Sequence, residues 1–470
     1  MKKAPLLEAV LDYKEENNLI LSMPGNKSGK AFLRDRLGEK FRNTLGELDI
    51  TEVEPLDNLH SPEGVIQEAE ELLAEAYKVK RGYFVVNGST ASNLAAIFSA
   101  FNEGDEVLVE RNCHKSVYNG LILRKLKPIY IDAVIDKEIG IFMPPSKEEI
   151  IKTLSIAKNP KGIILTNPNY YGIYYEDISI FKELKEKGLK IIIDAAHGAH
   201  YGFADNLPKS IVALGDYVIL SPHKTLPALT QGGYLLSNVE DDNLNFYIRA
   251  FMTTSPSYLI MSSLDYARYY LDNYAEKDYN TLIEKAEEYR IKINKLNKVT
   301  IISKDNIKEG YGIDKSRYIM TLKNGYSGHK LLEYLRSRKI QAEMSFAKGV
   351  VLILSPSNIE EDFIKLYEAI NELEIGNIKS EGKDFIFNSI TNEKILEPYE
   401  VFNLKGELVS LKDAANKIAM EAIVPYPPGI PLVLPGERIS EESINIINDY
   451  INNKLSVIGV KNSFIKVILD

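Results

Sequence analysis

The sequence predicts an α/β fold built on a mostly parallel sheet, with smaller α/β and α+β parts beyond it. Three observations predict it. From about residue 62 to 240, short apolar runs alternate with amphipathic stretches, the pattern of buried parallel strands separated by covering helices. Histidine, aspartate, serine and lysine collect directly after those runs, where an open α/β sheet binds its ligands. The chain has 470 residues and is 45% hydrophobic, enough for a large core and for two or three domains.

The elements follow in order. Residues 4–20 have amphipathic helical spacing, and a loop with Pro24, Gly25 and Gly29 comes next. Residues 62–79 read as a helix, with Pro62 at the first helical position and Ile66, Ala69, Leu73 and Ala76 on its buried face. The strands are YFVV (83–86), EVLVE (106–110), PIYIDAV (128–134), GIILT (162–166), KIIID (190–194) and YVILS (217–221). Residues 317–323 and 339–355 supply further strand and helix pieces, as in a smaller α/β domain. The polar, glycine-containing stretch 374–384 is a linker, and PYPPGIPLVLPGE (425–437) a stiff proline-rich loop. The expected division is an N-terminal arm (1–60), a large domain (61–300), a small α/β domain (301–373) and a C-terminal α+β domain (385–470).

Composition excludes several classes. The net charge is −9 and no basic stripe stands out, which argues against a nucleic-acid partner. No apolar stretch reaches the ~18–20 residues that cross a bilayer. The opening MKKAPLLEAVLDYKEENN lacks the apolar core of a signal peptide. The lone Cys113 forms no intrachain disulfide. The expectation is a soluble, cytoplasmic protein without a membrane partner.

After YFVV comes NGSTASN. Gly88 allows a tight turn, and Ser89 and Thr90 open a helix whose buried face is Leu94, Ile97, Phe98 and Phe101. Free N–H groups, two hydroxyls and the helix dipole suit a phosphate there; an ordinary N-cap is the bland alternative. After EVLVE, His114 either stacks on a flat ligand or is a satisfied loop histidine. A Cys113–His114 nucleophile is discounted, because adjacent residues on extended chain point to opposite sides. After KIIID, Asp194 is a buried carboxylate that needs a cation or a donor. His197 and His200 have the spacing of a metal pair but no third ligand, so no metal is expected. After YVILS, the loop SPHKTL places Ser221, His223 and Lys224 about one strand–helix–strand step beyond Asp194.

One cofactor explains the set. A lysine holds an aldehyde as an imine, a strand-end carboxylate pairs a pyridinium nitrogen, a helix start takes a phosphate, and an imidazole lies over a ring. Together these describe a pyridoxal 5'-phosphate site, with Lys224 as the imine lysine and Ser221 and His223 as phosphate ligands.

The residues also resemble the Orn/Lys/Arg decarboxylase family of fold-type I pyridoxal-phosphate enzymes, over nearly the whole chain. SPHKTLPALTQGG (221–233) looks like its lysine signature. LDNLHSPEGVIQEAEELLAEAY (56–77), VNGSTASNLA (86–95), ERNCHKSVYNGL (110–121), TNPNYYGIYYED (166–177), DAAHGAHYGF (194–203), TTSPSYLIMSSLD (253–265) and VPYPPGIPLVLPGE (424–437) follow the family in order. The resemblance implies that Lys224 forms the imine, Asp194 pairs the ring nitrogen, His197 sits near the ring hydroxyl and His114 stacks on the ring. Ser89, Thr90, Ser221 and His223 would hold the phosphate. It implies a homodimer or higher homo-oligomer with active sites at the interface, Thr254 and Ser255 serving the neighbouring subunit. It also implies the short form without a receiver domain, and a C-terminal decarboxylase domain at 385–470. The reaction implied is decarboxylation of arginine, lysine or ornithine, arginine favoured, of the kind that feeds polyamine synthesis. Glu343 and Glu437 are candidates for the substrate's cationic end. The rivals are an aminotransferase or lyase on the same scaffold, and a non-catalytic cofactor-binding regulator. Two departures bear on substrate: Asn26 where the family has histidine (PGNK), and Ala195 where it often has a glutamate beside the cofactor aspartate.

Overall fold

The computed structural model describes residues 4–380, 390–426, 430–452 and 455–469. The expected linker beyond residue 380, the expected domain start at 385 and residues 427–429 of the proline-rich loop lie outside the described residues.

Seven strands form the central sheet: β1 (Arg81–Val85), β2 (Glu106–Glu110), β3 (Lys127–Ile131), β4 (Pro160–Thr166), β5 (Lys190–Asp194), β6 (Tyr217–Leu220) and β7 (Gly233–Ser237), in the order β1-β7-β6-β5-β4-β2-β3. From β3 to β6 the pairings are parallel, and β7 is antiparallel to both β6 and β1. The inner strands are buried through their middles: Val107–Val109, Ile163–Leu165, Ile191–Ile193 and Val218–Leu220 have no measurable exposure. Burial on both faces is why they read as continuous apolar runs. Thr166 pairs with Asp194, and Asp194 with Ile219, so the carboxyl ends of these strands come level.

The structure revises several expectations. GYLLS (233–237) is a central strand with every residue buried, and it separates β1 from β6. The strand expected at 128–134 stops at Ile131, and Val134–Asp136 pairs instead with Ile141–Met143. The helix expected over 62–79 runs Val65–Tyr77, so Pro62 precedes it; Tyr77 is buried and Ala76 only half-buried. Its start is capped by Asp57, whose carboxylate accepts from the N–H groups of Gly64, Ile66 and Gln67. In helix Gly88–Ala100 the buried residues include Ala91, Ala95 and Ile97, while Leu94 and Phe98 are half-buried. The N-terminal helix spans Pro5–Glu15 and buries none of its residues.

Beyond the large sheet, Thr300–Ile301, Arg317–Thr321, Gly349–Ile353 and Met344–Phe346 form a four-stranded antiparallel sheet in that order. Helices Gly328–Ser337 and Glu360–Glu372 accompany it. Leu19–Leu21 pairs in parallel with Ile340–Ala342, tying the N-terminal segment to this part. The expected linker is not wholly open chain: Ile375–Ile378 forms a short 3-10 turn with Ile378 buried. The C-terminal part holds strand pairs Gly406–Ser410/Phe464–Ile468 and Val424–Tyr426/Ser456–Ile458, with helix Glu441–Asn452.

The loop after Leu21 braces the chain around Lys224. Gly25 N–H donates to the carbonyl of His223 at 2.8 Å. A Cβ at Gly25 would lie 2.5 Å from the backbone carbon of Thr225, so only glycine permits this approach.

Candidate active site

A cleft of about 680 Å³ opens at the carboxyl ends of the strands. Gly88, Ser89, Thr90, His114, Asp194, His197, Ser221, His223 and Lys224 all line it. They come from four connections, after β1, β2, β5 and β6, which is how one sheet edge gathers residues distant in sequence.

Asp194 ends β5 and is 3% exposed. Its Oδ2 accepts from Asn93 Nδ2 at 3.0 Å and its Oδ1 from the Ala196 N–H at 3.2 Å. Asn93 Nδ2 also donates to Ser116 Oγ, 3.0 Å away. The Ser116 hydroxyl and N–H face His114 Nδ1 at 2.8 and 3.2 Å. An N–H donor on Nδ1 makes that nitrogen the acceptor, so neutral His114 carries its proton on Nε2. His114 thus caps helix Lys115–Leu123 through Nδ1, while the residue stays exposed at the cleft.

The start of helix Gly88–Ala100 lines the cleft. Gly88 has φ +76°, and no side chain caps the first turn. This removes the ordinary N-cap reading: Asn87 occupies the cap position, but its Oδ1 accepts from Thr253 N–H at 3.2 Å. Ser89 and Thr90 lie inside the first turn. Ser89 Oγ donates to the Leu220 carbonyl at 2.9 Å and stands 2.6 Å from Ser221 Oγ. His223 Nδ1 donates to the Gly232 carbonyl at 2.7 Å.

Lys224 Nζ lies 3.1 Å from His197 Nε2. His197 Nδ1 lies 3.1 Å from Arg317 Nη2. Burial, ahead of any charge, pushes both the Lys224 ammonium and the His197 imidazolium toward their neutral forms.

The family model described as Orn/Lys/Arg decarboxylase, major domain, matches residues 4–317, and its C-terminal domain model matches residues 392–458. The chain belongs to the Orn/Lys/Arg decarboxylase family. It is 32% identical to an uncharacterised protein of Bacillus subtilis, YaaO, over 97% of this chain and 96% of that one. It is 29% identical to an arginine decarboxylase of Bacillus subtilis, over 99% and 97%. With a lysine decarboxylase of Hafnia alvei it shares 24% identity over 94% of this chain and 74% of the other. Among solved structures, the lysine decarboxylase of Francisella novicida superposes with a TM-score of 0.80 at 21% identity, covering 95% of this chain and 78% of that one. A serine palmitoyltransferase of Sphingomonas wittichii gives 0.56 at 15%, covering 76% and 88%. The fold is the fold-type I architecture, and the chain is a pyridoxal-phosphate-dependent amino-acid decarboxylase, a carbon–carbon lyase.

This Orn/Lys/Arg decarboxylase has a cleft that fits its cofactor. An uncapped helix start with two hydroxyls suits the phosphate, and the buried Asp194 suits a cationic ring nitrogen. The buried Thr166 Oγ1, on the cleft wall, has no hydrogen-bond partner among the described residues.

Several expected site residues stand elsewhere. Glu437 does not line the cleft. It is 1% exposed, and Arg111 Nη1 and Nη2 meet its two oxygens at 2.7 Å each, with Leu434 N–H a third donor at 2.8 Å. Its acceptor capacity is used in holding the C-terminal part to the loop after β2. Thr254 and Ser255 are exposed and do not line this chain's cleft. Ala195 is fully buried in the core, and Ala196 faces the cleft instead, so that departure lies behind the cleft wall. Asn26 is buried with both ends engaged, by the Ala228 carbonyl at 2.9 Å and by Gly29 N–H at 3.0 Å. It acts as a loop brace. His200 Nε2 meets Asp314 Oδ2 at 3.0 Å, and His197 faces Arg317 and Lys224, so the two histidines do not converge. Glu343 sits just outside the lining: Tyr170 OH donates to Oε1, and Met23 N–H to Oε2 at 2.9 Å, and both of those residues line the cleft.

Sequence reasoning missed Asn93 and Arg317. Asn93 was within reach, as the residue one helical turn after Ser89. Arg317 was seen only as the first residue of the strand RYIMTLK.

Proposed function

We propose that the protein removes the α-carboxyl group of a basic amino acid as carbon dioxide, releasing the corresponding amine, with arginine the favoured substrate. The observation that carries the reading is the convergence of Lys224, His197, Asp194 and His114 on one cleft beside an uncapped helix start. When bound, pyridoxal phosphate supplies an electron sink for the pair left by the departing carbon dioxide. Lys224 Nζ is the amine that holds the cofactor. Asp194 keeps a proton on the ring nitrogen, since its carboxylate favours the charged form. His114 and His197 would hold the ring, and Ser89, Thr90, Ser221 and His223 would bind the phosphate.

Glu343 is the group proposed to meet the substrate's distal cation, through the wall made by Tyr170 and Met23. Arginine is favoured because the match to arginine decarboxylases runs the length of both chains, whereas the lysine decarboxylases are longer and less similar. The working form is proposed to be a homodimer. Thr254 and Ser255 are exposed beside Thr253, which bonds Asn87 at the phosphate cup, so a second subunit docking there would reach the cleft rim. The exposed Leu6, Leu7, Val10 and Leu11 of the N-terminal helix need cover as well.

Carbon dioxide release from arginine, lysine and ornithine tests the reading, with sedimentation measuring the assembly. Release from none of the three, by protein that shows the visible imine absorbance, would leave the cofactor site standing and remove the substrate assignment.

A further inference from the structure

Behind the cleft lies a buried chain of polar groups that ends at His197 and Lys224 and whose inner members, His200, Asp314 and Arg317, the reaction as written above does not use. His200 Nε2 meets Asp314 Oδ2 at 3.0 Å, and Asp314 Oδ2 lies 3.8 Å from Arg317 Nε. Arg317 Nη2 reaches His197 Nδ1 at 3.1 Å, and His197 Nε2 reaches Lys224 Nζ at 3.1 Å. Asp314 is fully buried and Arg317 is 2% exposed. Gly172 makes room for the arginine: a Cβ there would stand 2.5 Å from Arg317 Cδ.

We propose that Arg317 is a positioning residue for the decarboxylase reaction, which sets the tautomer of His197 and so confines the imidazole proton to Nε2, the nitrogen that faces Lys224. The proposal rests on the reading of Lys224 as the reacting amine. Its physical basis is a difference in donor inventory. A guanidinium has only donors and stays charged at every working pH. The nitrogen it faces must therefore be an acceptor, and the remaining proton of a neutral imidazole goes to the other nitrogen.

Two consequences follow. Protonating Nδ1 would set donor against donor, so His197 stays neutral across the working range. The groups around it act the same way: Arg317, Lys224, His223 and His114 are all cations or potential cations, and Tyr170 offers a ring edge-on at 4.9 Å. Lys224 then meets an N–H, which a free amine accepts and an ammonium cannot. The arginine thereby favours the nucleophilic form of a lysine it does not touch.

The test is nitrogen NMR of the full-length protein labelled with 15N-histidine, with its cofactor and after removal, from about pH 6 to about pH 9. The His197 signal is assigned by its loss in His197→Gln. The expected result is a protonated Nε2 and a bare Nδ1 throughout. A bare Nε2, or protonation of both nitrogens, would overturn the proposal. In Arg317→Met the proton is expected to move onto Nδ1, with kcat falling about 10- to 100-fold and KM changing little. Arg317→Lys, which keeps a charged donor, should restore the Nε2–H form. An unchanged tautomer in folded Arg317→Met would also overturn it, and if that variant does not fold, the wild-type spectrum decides alone. The Lys224 reading fails separately, if Lys224→Ala keeps the visible imine absorbance.

Discussion

Lys224 Nζ stands 3.1 Å from Nε2 of His197, at the end of the sheet where Asp194 closes the neighbouring strand. The contact joins the loop after β6 to the loop after β5, and it puts a lysine amine where burial disfavours its charge.

The first prediction concerns that amine. A lysine with a lowered pKa is a free amine at lower pH than the ordinary value of 10.5 allows. Cofactor-free protein should rebuild its visible imine absorbance with a pH midpoint below 10.5. A midpoint at the ordinary lysine value would show that Lys224 is not held neutral.

Glu437 distinguishes a structural carboxylate from a substrate-binding one. Glu437→Ala leaves Arg111 charged and buried, which costs about 3–5 kcal/mol. Denaturant unfolding should show that loss, while the folded fraction keeps its KM for the basic substrate. A raised KM with unchanged stability would restore the substrate role.

Glu343→Gln removes a charge but keeps the shape. If Glu343 meets the substrate cation, KM for the basic amino acid rises about 10- to 100-fold, the worth of one charge-assisted hydrogen bond, and kcat changes less. An unchanged KM would assign Glu343 to bracing Tyr170 and Met23 alone.

Lys27 gives a pH dependence. It is 2% exposed, and its Nζ donates to the carbonyls of Ser22 at 2.6 Å and Ile353 at 2.8 Å, the two bonds a neutral amine can donate. Burial lowers its pKa to about 7 from 10.5. Between those values the unfolded chain binds the extra proton, so stability rises with pH from about 7 toward 10.5. The slope contributed by this group is at most about 1.4 kcal/mol per pH unit. Chemical denaturation of wild type against Lys27→Met should show the slope in wild type only.

The central sheet was legible because buried parallel strands leave apolar runs that need no partner to recognise. The strand at Gly233–Ser237 is just as apolar, but nothing local tells that a chain segment reverses and inserts between two earlier strands. Asp194, His114, Ser89, Ser221 and Lys224 were legible for a related reason: each ends a strand or follows one within four residues, and the sheet edge brings them together. Arg317 was not, because it reaches the site from the second sheet, across a separation no spacing reports. Glu437 misled for the opposite reason. A carboxylate in a loop reads as available, and only the fold shows Arg111 already on it. The N-terminal helix shows the limit of amphipathic spacing, which predicts the helix but not what covers its apolar face.

The most direct measurement is carbon dioxide release from arginine, lysine and ornithine by purified, cofactor-loaded protein, beside Lys224→Ala. The account predicts release from arginine above the other two, and its loss in the variant together with the visible imine absorbance. Undiminished release by Lys224→Ala would contradict it, because Lys224 is the cleft lysine whose Nζ stands 3.1 Å from His197 Nε2, whereas the other lysine of the lining, Lys115, belongs to the helix that His114 caps.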